Sequence, residues 1–218
     1  MMHLLDISLA LILLSVLIAL GSSRIHELIR LMAFQGILVS LVPFLLEMSS
    51  NPSSLDILFL LVFISTKGII MPGLLWFASK KVATKMDLEP LIGYHASIFA
   101  GLVIIVVSTL ISHKMQQAEG IVIHPLLLPA AFTTIAAGLF LLVARRKALT
   151  QAVGYLILEN GIYLAGSTLA RQAHTQYVVE FGILLDILVG VMVMGIIVHR
   201  ISHSFDDADT MFLQELKG

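Results

Sequence analysis

The sequence predicts an all-α integral membrane protein, a bundle of seven transmembrane helices with its N-terminus outside and its C-terminus in the cytoplasm. Three observations predict it. Hydrophobic residues make up 58% of the 218 and charged residues only 12%, with a mean hydropathy of +1.00; soluble domains carry about a quarter charged residues. Apolar runs close to the length a bilayer demands, roughly 20 residues, recur with little chain between them. Lys and Arg, finally, gather in alternate connections.

The apolar runs fall at 4–20, 28–46, 55–78, 91–111, 125–144, 148–170 and 177–198. No A-x-A pattern follows the first, so it is read as a retained helix and not as a signal peptide. The connections after the first, third and fifth runs hold Arg24 and Arg30, then Lys80, Lys81 and Lys85, then Arg145, Arg146 and Lys147. With Arg200 and Lys217 in the tail, ten basic residues share one side, against Lys114 and Arg171 on the other. The positive-inside rule sets the expected orientation from that asymmetry.

The first run is aliphatic, with Ser8 and Ser15 inside and Asp6 near its outer end. The second carries Gln35 and Gly36 near its middle. The third, LDILFLLVFISTKGIIMPGLLWFA, places Lys67 at its midpoint and Pro72 five residues on. Proline lacks an N–H and crowds the carbonyl four residues back, here that of Gly68, so a break in the helix is expected beside the lysine. Irregular backbone at membrane depth is tolerated only inside protein or along a wet cavity.

The fourth run opens with Tyr94 and His95 and is followed by the polar stretch SHKMQQAEGIVIHP, read as an outer loop and as a seam between halves. The fifth carries Thr133, Thr134 and Gly138, small residues that let membrane helices approach closely. Three units follow: an N-terminal three-span half (1–90), a linking span with its outer loop (91–123), and a C-terminal three-span half with a short cytoplasmic tail (124–218). Both halves run through a basic turn into polar-centred helices, and Gln35-Gly36-Ile37 parallels Asn160-Gly161-Ile162. The expected relation is a parallel three-helix repeat.

The last two runs organise the rest. Each has one carboxylate near its middle, Glu159 and Asp186, and an acid in hydrocarbon costs several kcal/mol even on lenient scales, about 3. Tyr155, Glu159 and Tyr163 are four apart and share a helix face, with Asn160 beside the acid. Gly182, Asp186 and Gly190 share another, and Glu180 sits about 9 Å further out. Lys67 cannot neutralise two acids. Either one carboxylate holds a proton or a partner chain supplies a second cation. A purely structural scaffold would need neither. Gln35, Lys67, Glu159 and Asp186 all fall near mid-span, a layer suited to moving protons sideways.

Cysteine is absent, so iron–sulfur clusters ligated by this chain are excluded, as are disulfides. His199 and His203 are four apart in the basic tail and read as a solvated face and not as a metal site. No cofactor, no catalytic redox centre and no nucleic-acid partner are expected.

The segments ARRKALTQAVGYLILENGIYL and EFGILLDILVGVMVMGIIVHR resemble the NuoK subunit of respiratory complex I and the MrpC subunit of Mrp-type cation/proton antiporters. Those chains have three spans, a basic turn before the second, and an embedded acid in each of the last two. Asp186, Gly190 and His199-Arg200 match the third-span pattern, although glutamate is usual at the acid. The longer form, over essentially the whole chain, resembles the hydrogenase-4 component E family. That resemblance implies a multi-pass subunit in the cell (inner) membrane, within an energy-converting oxidoreductase complex of the hydrogenase-4 or formate hydrogenlyase type. It implies partners: antiporter-like multi-span subunits and, indirectly, hydrogenase and iron–sulfur subunits. Glu159, Asp186, Lys67, Glu180, Gln35, Tyr155, Tyr163 and Asn160 are the expected proton (or sodium) path. The alternative is a subunit of a stand-alone Mrp-type antiporter.

Overall fold

Helices account for every regular element in the computed structural model, which describes residues 2–22, 24–47, 54–81, 92–119, 124–169 and the single positions 190, 191 and 195. They are α1 (Met2–Gly21), α2 (Ile25–Glu47), α3 (Ser54–Ser65), a π-helical turn (Thr66–Ile70), α4 (Met71–Lys81), α5 (Tyr94–Glu119), α6 (Leu127–Ala144) and α7 (Ala148–Leu169). No β-strand occurs among the described residues.

Among the described residues, five helical stretches are long and apolar enough to cross a membrane: His3–Gly21, Ile25–Leu46, Leu60–Lys80, Tyr94–Gln117 and Leu127–Ala144. They coincide with the first five runs expected from sequence. The sixth run forms α7, 22 residues long and so about 33 Å, but Gln151, Glu159 and Asn160 dilute its apolar character. The seventh run, apart from positions 190, 191 and 195, lies outside the described residues.

Serine and threonine sit inside these helices without orphaned hydroxyls where the helix's own carbonyls accept them. Ser8 donates to Leu4 O, Ser15 to Ile12 O, Ser112 to Ser108 O and Thr134 to Ala130 O, at 2.7–2.9 Å. In hydrocarbon this local bonding is the cheapest way to carry a hydroxyl.

Two sequence expectations need correction. α5 does not stop at 111 but continues through Ser112–Glu119, the stretch expected to be loop. His113, Lys114, Met115 and the two glutamines include good helix formers, and no Gly or Pro interrupts them before Gly120. In the third span the expected break is present, but as a π-turn ahead of Pro72. The Met71 N–H bonds to Thr66 O, five residues back. The added residue widens the helix where the proline ring would otherwise crowd a carbonyl.

Among the described helices, α6 and α7 pack most closely. A Cβ at Gly138 would stand 2.4 Å from Leu158 N, and one at Gly161 would stand 2.5 Å from Ile135 N. Only glycine lets the two backbones touch in this way. α1 packs on α2, α5 and α6, while α2 packs on α7 and on the third span. One apolar cluster, with Leu28, Met32, Leu75, Leu141 and Ile157, fills the half of the bundle nearer the basic connections. A second, with Leu9, Val39, Phe63, Leu127 and Leu164, fills the other half.

The described parts of the basic connections meet at one end. Arg145, in the α6–α7 connection, is buried to 2% exposure. Its Nη2 donates to Leu20 O at the end of α1, at 2.9 Å, and its guanidinium lies 5.0 Å from the Tyr94 ring centroid at the start of α5. Burial pulls this guanidinium below its ordinary pKa and Tyr94 works against that pull; an arginine stays charged regardless. The carbonyl end of α1 carries partial negative charge, which suits a cation placed there. At the opposite end, His124 Nε2 lies 3.1 Å from Asp6 Oδ1.

Candidate functional site

Between the two clusters lies a polar centre. Lys67 Nζ donates to Glu159 Oε1 across 92 residues of sequence, and both side chains are buried, at 3% and 1% exposure. Taking two charges out of water costs several kcal/mol per ion, of order 5, and attraction repays it only with close geometry. The contact here is close. Tyr163, one turn from Glu159, turns its ring toward the same ammonium, 5.8 Å from Nζ to the centroid, and packs on Phe63 with centroids 5.0 Å apart.

Local sequence explains how a lysine on the third span reaches α7. Lys67 is the second residue of the π-turn, and Gly36 of α2 lies against it. A Cβ at Gly36 would come 2.9 Å from Lys67 Cβ and 3.2 Å from its carbonyl oxygen. On the other side of the contact, a Cβ at Gly68 would come 2.7 Å from Ile37 Cγ1. Two glycines, one from each helix, seat the lysine-bearing backbone deep against α2, and α2 in turn packs on α7.

Gln35 stands next to Gly36 and is 2% exposed. Its Nε2 is buried with no hydrogen-bond partner among the described residues. Asn160 is 2% exposed beside Glu159, and Tyr163 is 7% exposed. Tyr155, on the same face of α7, is half-buried against the cluster at the basic end. The structure therefore brings Lys67 and Glu159 into direct contact, sets the Tyr163 ring near the ammonium, and places Gln35 and Asn160 within the buried layer. Asp186 and Glu180 lie outside the described residues, as do His199 and His203. Gly190, four residues after Asp186, is described: a Cβ on it would come 3.7 Å from Met71 Cε, and Met71 is one turn beyond Lys67. No group of three or more metal-ligating side chains occurs among the described residues.

Sequence reasoning had not singled out three participants. Phe63 looks like any apolar residue until the Tyr163 ring is set against it. Gly68 was visible only as the owner of a crowded carbonyl. Arg145 was one of three basic residues in a row, and nothing in that row separates it from exposed Arg146.

The arrangement can hold one proton in two places, on Nζ of Lys67 or on the carboxyl of Glu159, with both side chains buried. Comparison with known proteins adds a second line. An uncharacterized protein of Mycobacterium tuberculosis, Rv0085, is 29% identical over 195 residues, covering 88% of this chain and 86% of that protein. No family model matches the chain, and no solved structure matches it. Hydrogenase-4 component E of Escherichia coli K12, and likewise that of Shigella flexneri, is 28% identical over 155 residues, covering 70% of this chain and 69% of the relative, and the chain is thus a distant relative of proteins with that name.

Proposed function

We propose that this chain is a membrane subunit of an energy-converting, hydrogenase-type complex, and that Lys67 and Glu159 are one station of its proton (or sodium) path. The observation that carries the proposal is the buried Lys67–Glu159 contact, with the lysine on a π-turn. A lysine and a glutamate at the middle of apolar helices are expensive to keep, and a scaffold gains nothing from them that a leucine pair would not supply more cheaply. Similarity to hydrogenase-4 component E supports the setting, and the NuoK-like and MrpC-like pattern of two embedded acids supports the chemistry.

In this scheme seven helices cross the cell (inner) membrane, α7 as the sixth and 177–198 as the seventh, with the tail in the cytoplasm. The halves form a parallel repeat, and the packing of α1 on α6 and of α2 on α7 pairs their equivalent helices. A proton arrives at Glu159, is exchanged with Lys67, and leaves toward Asp186 and then Glu180 on the last span, or toward a neighbouring antiporter-like subunit. Tyr155, Tyr163, Asn160 and Gln35 line the route and offer hydroxyl and amide groups to bridging water. The π-turn holds one residue more than an α-turn, and shedding it would turn the flanking backbone by about 100°, enough to carry the ammonium away from its carboxylate. Redox chemistry belongs to other subunits.

The test is Glu159→Gln in the assembled complex. Gln keeps an acceptor for Lys67 but cannot take up a proton. Assembly and hydrogenase activity with artificial carriers should persist, while coupled ion translocation falls steeply. An intact Gln complex that pumps as well as the parent would refute the relay. Co-purification with Mrp subunits alone, without hydrogenase subunits, would move the chain to an antiporter complex.

A further inference from the structure

The basic end of the bundle contains a cluster that the proton path does not use. His26 and Arg30, one turn apart at the start of α2, meet Trp76 and Lys80, one turn apart at the end of α4. The His26 and Trp76 rings are tilted against each other with centroids 4.3 Å apart. Arg30 Cζ lies 6.0 Å from the Trp76 ring and Lys80 Nζ lies 5.8 Å from it. The indole is half-buried, and both cations are exposed.

Arg30 and Lys80 share a sign. Glu27, the acid nearest in sequence, is taken by Ser22, whose hydroxyl donates to Oε2 at 3.2 Å, and by Arg24 at 3.6 Å. His26 Nδ1 is buried and has no hydrogen-bond partner among the described residues. The N-terminal end of α2 adds its own partial positive charge. In the seven-span arrangement proposed above, an aromatic ring flanked by cations at this end of the helix pair would sit at the depth of lipid headgroups.

We propose that the α2–α4 end, through Arg30, Lys80 and His26 around Trp76, is a binding site for the phosphate of an anionic phospholipid headgroup. Arg30 and Lys80 supply the charge, the neighbouring imidazole can donate to a phosphate oxygen, and the indole packs on the glycerol and upper acyl chain. Two cations near the surface favour an anionic over a zwitterionic lipid by roughly thirtyfold. This site is independent of the proton path, so its failure leaves that proposal standing.

Trp76 is the sole tryptophan, and its fluorescence therefore reports on this place alone. The full chain would be reconstituted in phosphatidylcholine bilayers containing a fixed fraction of bromine-labelled lipid, either phosphatidylglycerol or phosphatidylcholine. Stronger quenching by the anionic label is expected, with the preference abolished in Arg30→Gln/Lys80→Gln and retained in Lys114→Gln at the far end of α5. All three side chains are exposed, so the swaps leave packing intact. Excess inorganic phosphate should not compete, because the apolar contacts come from the lipid. Equal quenching by the two labels, an unchanged preference in the double variant, or displacement by free phosphate would each overturn the headgroup site.

Discussion

Gly36 lies against the backbone of Lys67 so closely that no side chain fits between them. A Cβ there would be 3.2 Å from the Lys67 carbonyl oxygen, and that oxygen belongs to a helix that cannot yield as a side-chain tip can. The position of the ammonium is thus set by the absence of a methyl group on another helix. A lysine has four carbons of reach, yet its root, and with it the depth at which it meets Glu159, is fixed by α2.

Gly36→Ala is expected to push the π-turn off α2 and destabilise the protein by about 1–3 kcal/mol, the usual cost of overpacking. Gly68→Ala should cost less, because its obstacle is the Ile37 side chain, which can move. Gly73→Ala, with nothing within 4 Å of the added Cβ, should be neutral or better. Thermal unfolding of the three variants in one detergent would rank them, and an equal shift for all three would contradict the packing account.

Arg145→Met should lower stability by about 1–3 kcal/mol. It loses a charge-assisted hydrogen bond to the end of α1 and the contact over Tyr94, and it regains part of the cost of burying a charge. Arg146→Met, on an exposed neighbour, should stay within about 0.5 kcal/mol of the parent. If both variants unfold at the same temperature as the parent, Arg145 does not clamp the helix ends.

Much of this was legible in the chain because the bilayer is a strict ruler. A helix must be about 20 apolar residues long to cross it, so the first five spans and the embedded Lys67 and Glu159 stand out. Pairing was not legible: one lysine faced two acids, and only the seating of Gly36 on Lys67 turns the third span toward α7. Nor could hydropathy find the end of α5, since a polar helix that leaves the membrane and a polar loop have the same composition. Arg145 was hidden for a different reason. Burial of one basic residue in a run of three depends on where α1 ends, and that information is 125 residues away in sequence.

A cysteine placed near Gly218 should react with membrane-impermeant reagent from the cytoplasmic side only. Contacts already join the ends of α1, α6 and α4 with the starts of α2 and α5 around Arg145 and Trp76, so the described basic connections share an end. With seven spans the tail leaves on that same side. Labelling from the periplasm would mean that 177–198 does not cross.

The final prediction separates a structural ion pair from a functional one. Lys67→Met and Glu159→Leu each leave the other charge buried without its partner, and each should destabilise by about 3–5 kcal/mol. Combined, the two replace the pair with apolar side chains of similar length, and most of that loss should be recovered, with a coupling energy well above the few tenths of a kcal/mol that separate independent sites. If the pair only holds helices together, the double variant should regain ion translocation along with its stability. If it relays protons, the double variant should assemble, unfold near the parent's temperature and translocate no ions. Pumping at the parent's rate in the stable double variant would sink the relay, because neither the amine nor the carboxylate assigned to hold the proton would then remain.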